Sequence, residues 1–143
     1  MREFRLSSEA LKSQRMNKEA RMIGSLMMRV SVVVLLIGML AGIVMGIKQD
    51  FALGPAHAHF NLIGGVLLFL FGRYYRLFPA AGASSLAKLQ GWLHIVGAIL
   101  FPAGVAMVIA RGESFIAAPI IGSLIVTAAM ALFAVIVFRT SSV

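Results

Sequence analysis

The sequence predicts an all-α membrane protein with four transmembrane helices, on three observations. Hydrophobic residues make up 60% of the 143 positions, and the mean hydropathy is +0.95. Charged residues make up only 13%, whereas a soluble domain carries about 25%. The apolar residues also fall into four runs, each long enough to cross a hydrocarbon core of about 30 Å. We therefore expect a bundle of four antiparallel helices.

The four spans are predicted at residues 27–47, 57–78, 86–110 and 115–138. Gly54-Pro55 introduces the second span and Pro79 closes it, because glycine and proline interrupt regular helix. Gly112 marks the turn between the third and fourth spans. Connections this short place each span beside its sequence neighbour.

The N-terminal region, residues 1–26, is predicted to be a basic tail, and residues 27–143 form the transmembrane domain. The tail is either solvated or helical on the membrane surface. The first apolar run is longer than the core of about 7–15 residues in a signal peptide. We therefore expect the first span to be retained.

The positions of the positive charges predict the orientation. With the N-terminus inside, eleven of the 13 lysines and arginines lie in the cytoplasm, and only Lys48 and Arg111 lie outside. By the positive-inside rule both termini are then cytoplasmic, as in a protein of a bacterial-type inner membrane. The net charge of +8 therefore indicates orientation and contact with anionic lipid, and no binding of nucleic acid.

The residue types that are absent exclude several functions. The chain has no cysteine, which excludes disulfides, thiolate metal sites, covalent heme attachment and cysteine nucleophiles. The predicted spans contain no Asp or Glu, which argues against a proton-coupled exporter because such a protein needs a buried carboxylate. Methionines in and near the first span fit packing better than copper binding. These are Met22, Met27, Met28, Met39 and Met45.

The three histidines are the main candidates for chemistry, because ionisable residues within a membrane are costly and mark functional sites. His57 and His59 begin the second span, near the outer surface. Residues two apart on a helix diverge by about 200°, so this pair cannot hold one ion from regular helix. The two rings either bind two different partners or lie solvated at the interface.

His94 is a weaker candidate metal ligand. It lies on the cytoplasmic side of the third span, and we expect roughly 20 Å between it and His59 along the membrane normal. That is too far for both to bind one iron, so packing against a backbone carbonyl is the favoured interpretation. Arg111, in contrast, ends the third span on the same face as His57 and His59. A cation there could pair with carboxylates of a ligand that those histidines hold.

The segment Asp50–Phe60 reads DFALGPAHAHF and carries a family resemblance. It is similar to the His-x-His helix in the large subunit (subunit I) of heme-copper oxidases and the related nitric oxide reductases. The similarity extends over about residues 50–112. The further matching positions are Gly64-Gly65, Gly72, Tyr74-Tyr75, Phe78-Pro79, Leu86, Lys88-Leu89, Gly97 and Gly112.

The resemblance implies two heme ligands on opposite sides of one helix. His57 matches the ligand of the high-spin heme, and His59 matches one axial ligand of the low-spin heme. Arg111 corresponds only approximately to the arginines that bind heme propionates. Gln90, rather than His94, stands at the position of the family's histidine in the third span.

The departures from the family limit what the resemblance implies. The chain lacks the copper-ligand helices and the helix that bears the second low-spin ligand, so it cannot build an oxidase site alone. The expected function is a heme b-binding protein for electron transfer or for binding O2 or NO. The heme would lie between protomers of a dimer or trimer, with a respiratory electron donor as partner, and enzymatic activity stays open.

Two other functions stay open as well. One is a cofactor-free assembly or accessory subunit of a respiratory oxidase, and the other is a small copper-handling membrane protein. The first tolerates loss of His57 and His59, whereas the second uses them to bind copper.

Overall fold

The computed structural model describes residues 2–140, with side chains from residue 9 onward. Outside that description lie Met1, residues 141–143 and the side chains of Arg2 and Arg5. Both arginines belong to the predicted tail and to the positive charges counted for the orientation. The described chain is helical and contains no strand. Its elements are α1 (Arg2–Lys48), α2 (Gly54–His59), a π-helix (Phe60–Leu67), α3 (Leu68–Leu77), α4 (Pro79–Gly82), α5 (Ser85–Arg111), a 3₁₀ turn (Glu113–Phe115) and α6 (Ala117–Thr140).

Four helical segments are long and apolar enough to cross a membrane. The first to fourth spans are Glu9–Lys48, Gly54–Leu77, Ser85–Arg111 and Glu113–Thr140. This confirms the predicted all-helical chain with four such segments. The second span begins three residues before the predicted position 57, because Pro55 fits the first turn of a helix.

The basic tail and the first span form one element. α1 has 47 residues and is about 70 Å long. Within it, Ala20 packs over Gly82 and Ile23 packs over Gly91, and both apolar side chains are buried. The C-terminal part of the predicted tail therefore belongs to the packed body.

The end of α1 is set by a left-handed residue. Gln49 has a φ of 52°, its amide donates to the carbonyl of Gly46 at 3.4 Å, and the amide of Asp50 donates to Met45 at 3.2 Å. These two bonds form a Schellman motif, which satisfies carbonyls that the helix end leaves without donors. The chain then turns within four residues into the second span.

Caps also fix the third span. The Oγ of Ser84 accepts from the amide of Ala87 at 3.1 Å, which satisfies an amide of the first turn. α5 ends before Gly112, whose φ of 92° favours glycine. We call the end of the bundle with residues 49–53 and Gly112 the histidine end. The opposite end, with residues 78–84, is the basic end.

The middle of the second span departs from regular α-helix. The π-helix Phe60–Leu67 follows the candidate histidines directly, and two of its carbonyls accept from neighbouring spans. Ser31 Oγ of α1 donates to the Gly65 oxygen at 2.8 Å. His94 Nε2 of α5 donates to the Ile63 oxygen at 3.0 Å. π-Helical segments are rare in proteins, and those that occur are often found at functional sites.

Candidate functional site

The ring of His57 faces the first span. A Cβ atom added to Gly42 would lie 3.1 Å from its Cε1, so the glycine provides the room that the ring occupies. One turn on, Asn61 Nδ2 donates to the His57 carbonyl at 2.9 Å and lies 3.4 and 3.3 Å from Nδ1 and Nε2. A position almost equidistant from both ring nitrogens lies over the ring, so it is in line with neither lone pair.

An open apolar groove of about 470 Å³ runs past His57, between the first, second and third spans. Its walls include Val44 and Met45 of α1, Phe60 of the second span and Ile99 of α5. Among the described residues that line it, His57 is the only one whose side chain carries a nitrogen or an oxygen. The groove can therefore hold an apolar ligand that takes one bond from an imidazole.

The ring of His59 leaves the helix on the other flank, toward the third span. Its centroid lies 4.6 Å from that of Phe101, with the planes at 63°. Its Nδ1 lies 2.7 Å from the carbonyl oxygen of Pro55. Because a carbonyl can only accept, Nδ1 carries the proton and Nε2 carries the lone pair. Metal-binding histidines are held in this way, with one nitrogen bonded to a carbonyl and the other directed to the metal.

The rings of His57 and His59 therefore face different spans. His57 lines the groove and His59 does not. Arg111 ends α5 at the same end of the bundle and is exposed, but it does not line the groove either. Of the three candidate residues at the histidine end, only His57 is brought into the groove.

His94 lies in the interior of the bundle, with none of its surface exposed. Its Nε2 donates to Ile63, and its ring contacts Phe71 edge-on at 4.8 Å between centroids. Nδ1 is buried and has no hydrogen-bond partner among the described residues. With one nitrogen used and the other enclosed, His94 is placed as a packing residue.

The separation between His94 and His59 is smaller than the roughly 20 Å predicted. Gly64 lies against Ala98, where an added Cβ would be 3.6 Å from the alanine Cβ. From this contact, His59 lies five residues toward the histidine end and His94 lies four residues toward the basic end. These nine helical positions correspond to about 14 Å along the bundle. The prediction aligned the midpoints of the two spans, whereas the real register is shifted by about one turn. The distance still exceeds what one iron can bridge.

A second buried polar contact lies one turn along α5 from His94. The Tyr75 hydroxyl donates to Gln90 Oε1 at 2.9 Å, and both side chains are fully buried. Gln90 Nε2 has no partner in the part of the chain that the structure describes. This contact joins the second and third spans toward the basic end, and it lies apart from the groove.

Two residues that contact the candidate histidines were not predicted from the sequence. Asn61 covers the face of His57, and its i+4 spacing from that residue could have identified it. Phe101 contacts His59, but its role depends on the register between two spans and no local pattern gives that register.

One imidazole is the donor that the groove offers. Within residues 9–140, no group of three or more His, Cys, Asp or Glu side chains could hold a metal. A heme iron takes four ligands from the porphyrin and needs only one or two from the protein. One imidazole in an apolar groove therefore fits this group.

Comparison of the chain with protein-family models, curated protein sequences and solved structures gave no match. The resemblance to heme-copper oxidases and nitric oxide reductases thus rests on the sequence features alone.

Proposed function

We propose that the chain is a heme b-binding multi-pass protein of a bacterial-type inner membrane, which serves electron transfer or the binding of O2 or NO. One observation carries the proposal. His57 lines an apolar groove, and the amide of Asn61 is in line with neither of its ring nitrogens. Burial of an axial histidine in apolar surroundings is what noncovalent heme requires.

The groove fits the proposed ligand in size and chemistry. Its volume of about 470 Å³ lies within the range of about 300–1,000 Å³ for ligand pockets. Val44, Phe60 and Ile99 would exclude water from the ring faces, and His57 would hold the iron from one side. A bound heme would supply a one-electron couple or an open coordination position for a diatomic gas.

The proposal includes an antiparallel bundle with both termini in the cytoplasm. Gly97 lies against Val126 and Gly104 lies against Pro119, so residue numbers rise along α5 as they fall along α6. The count of eleven lysines and arginines against two puts the basic end in the cytoplasm. The histidine end then faces outward.

Homo-oligomerisation would complete the coordination. Among the described residues that line the groove, His57 is the one histidine, while His59 holds its Nε2 lone pair on the other flank. In a symmetric dimer or trimer, His59 of one protomer would reach the groove of the next, because closed assemblies repeat the same contact. This supplies the second axial ligand that the single chain lacks.

Arg111 would act outside the groove. It is exposed at the histidine end, where propionates extending beyond the groove would reach the surface. A guanidinium pairs well with a carboxylate. A respiratory electron donor would approach the heme on this same outer face.

A reduced-minus-oxidised visible spectrum of the protein, produced with ample heme, tests the proposal. We expect b-type bands in the wild type, and a changed coordination state in His59→Ala with heme retained. A wild type without Soret absorbance would contradict the proposal. Absence of heme together with co-purification of a larger complex would favour the cofactor-free accessory subunit.

Metal analysis of the same preparations distinguishes copper handling from heme binding. Met45 lines the groove beside His57, and a thioether with an imidazole suits Cu(I). Copper instead of heme, lost in both Met45→Leu and His57→Ala, would favour that function. Met39→Leu is the matched control, because Met39 lies on the same helix, is 65% exposed and does not line the groove.

A further inference from the structure

Two arginines from different spans line one groove at the basic end of the bundle. Arg29 of α1 and Arg76 of α3 border a groove of about 460 Å³. Ser25 lies beside them, and Val32, Val33 and Phe69 continue the lining. We call this the arginine groove. It is separate from the groove at His57, and nothing in the proposed heme site depends on it.

A close approach of two helices builds the arginine groove. A Cβ added to Gly24 would lie 2.7 Å from the carbonyl oxygen of Gly72 and 2.8 Å from Cγ of Arg76. The two backbones therefore nearly touch, and the aliphatic stem of Arg76 lies across Gly24. Ser25 follows Gly24 directly, and Arg29 lies one turn further along the same helix.

Among the side chains that the structure describes, Arg29 and Arg76 have no acidic partner. The ion pair within residues 9–140 joins Lys88 to Glu19, and the sequence has no Asp or Glu at positions 20–49 or 51–112. Two guanidinium groups at a membrane boundary repel each other in a medium of reduced dielectric constant. An anion between them would offset that repulsion.

The lining of the groove is also polarised along its length. Ser25 and Arg76 lie toward the basic end, whereas Val32 and Val33 lie about two turns deeper in the spans. Arg29 lies between them at about the depth of Phe69, and its long side chain can extend toward the boundary. A ligand that matches this pattern has an anionic head at the boundary and an apolar chain that runs into the bilayer.

We propose that the arginine groove binds an anionic phospholipid. The phosphate lies between Arg29 and Arg76, with the hydroxyl of Ser25 as a further donor, and one acyl chain lies along Val33 and Phe69. A guanidinium binds phosphate through two parallel hydrogen bonds. The two positive charges favour a headgroup with a net negative charge over one that carries its own cation. The lipid stabilises the contact between α1 and the second span.

Native mass spectrometry of the detergent-solubilised protein tests the site. The protein is titrated with phosphatidylglycerol and with phosphatidylcholine of the same acyl chains. We expect the wild type to prefer phosphatidylglycerol, and Arg29→Gln and Arg76→Gln each to bind it about tenfold more weakly. Binding of phosphatidylcholine, which is expected to be weaker in the wild type, should change less than binding of phosphatidylglycerol.

Arg73→Gln is the matched control. Arg73 lies on α3, is exposed, and does not line the groove, and its substitution removes the same charge. We expect it to keep the wild-type affinity. An equal loss of affinity for phosphatidylglycerol in Arg73→Gln would show that the lipid is attracted by the net charge of the protein. That result would overturn the proposed site.

Two further measurements keep the proposal falsifiable. Arg76→Lys preserves the stem over Gly24 and the charge, so it should fold and still bind several-fold more weakly than the wild type because the guanidinium fork is gone. Unchanged binding in Arg76→Lys would contradict the bidentate contact. Inorganic phosphate at millimolar concentration should not displace the lipid. Displacement would indicate a site for the anion alone and would overturn the lipid assignment.

Discussion

His94 and His57 are histidines of two neighbouring spans, but their surroundings differ. His94 is fully enclosed, and its Nε2 donates to the Ile63 carbonyl in the π-helix. His57 is half-buried and borders an apolar groove, with the Asn61 amide over its face. A ring held by backbone contributes to packing, whereas a ring that borders a groove with its lone pair uncommitted is available to a ligand. Substitutions should separate these two kinds of histidine.

The largest effect on stability is expected from His94→Ala. The substitution leaves a cavity and removes the donor of the Ile63 carbonyl, so we expect a loss of about 2–4 kcal/mol in the free energy of unfolding. His57→Ala should lower it by less than about 1 kcal/mol, because the ring is only half-buried. Unfolding in mixed denaturing detergent measures both. Equal losses would remove the distinction between the two histidines.

An effect of about 1 kcal/mol is expected from Tyr75→Phe. The change deletes the hydroxyl that donates to Gln90 Oε1 and leaves the buried amide without a partner. Tyr74→Phe is the control on the neighbouring position, where the half-buried ring should tolerate the change. If both variants unfold at the wild-type detergent fraction, the interior contact between the second and third spans does not stabilise the bundle.

Ser31→Ala tests whether the π-helix is held by its neighbours. Alone it should destabilise by about 0.6 kcal/mol, a typical value for an interhelical hydrogen bond in a membrane. Combined with His94→Ala, it should show a coupling energy above about 0.5 kcal/mol, because both bonds end on carbonyls of the same segment. Additive losses would mean that the two bonds act independently.

The smallest effect is expected at the surface. Lys88 and Glu19 form an ion pair at 3.0 Å, with 46% and 32% of their side chains exposed. Lys88→Gln should change the free energy of unfolding by about 0.5 kcal/mol or less. High salt should abolish even this difference in detergent unfolding. A loss as large as that of His94→Ala would show that the tail is held to the body by charge.

The sequence was sufficient to predict the four spans because long apolar runs leave few alternatives. It did not predict the π-helix Phe60–Leu67, since its irregular carbonyls are satisfied by Ser31 and His94 from other helices. The continuity of α1 was also missed. Ala20 and Ile23 become buried only because Gly82 and Gly91 make room for them, and a tail sequence does not reveal such partners.

The candidate residues at the histidine end could be chosen from the sequence, because ionisable residues in that half of the apolar runs are so few. The groove itself could not be predicted. It depends on the register that sets Gly42 opposite His57 and Ile99 opposite Phe60. The same register leaves Arg111 outside the groove lining.

The most direct test of His57 as a heme ligand is the amount of heme bound per chain in three proteins. We predict heme in the wild type, at least about tenfold weaker binding in His57→Ala, and wild-type content in His94→Gln, whose amide can still donate to Ile63. Heme bound equally well by His57→Ala, or lost only in His94→Gln, would contradict the assignment of His57 as the ligand.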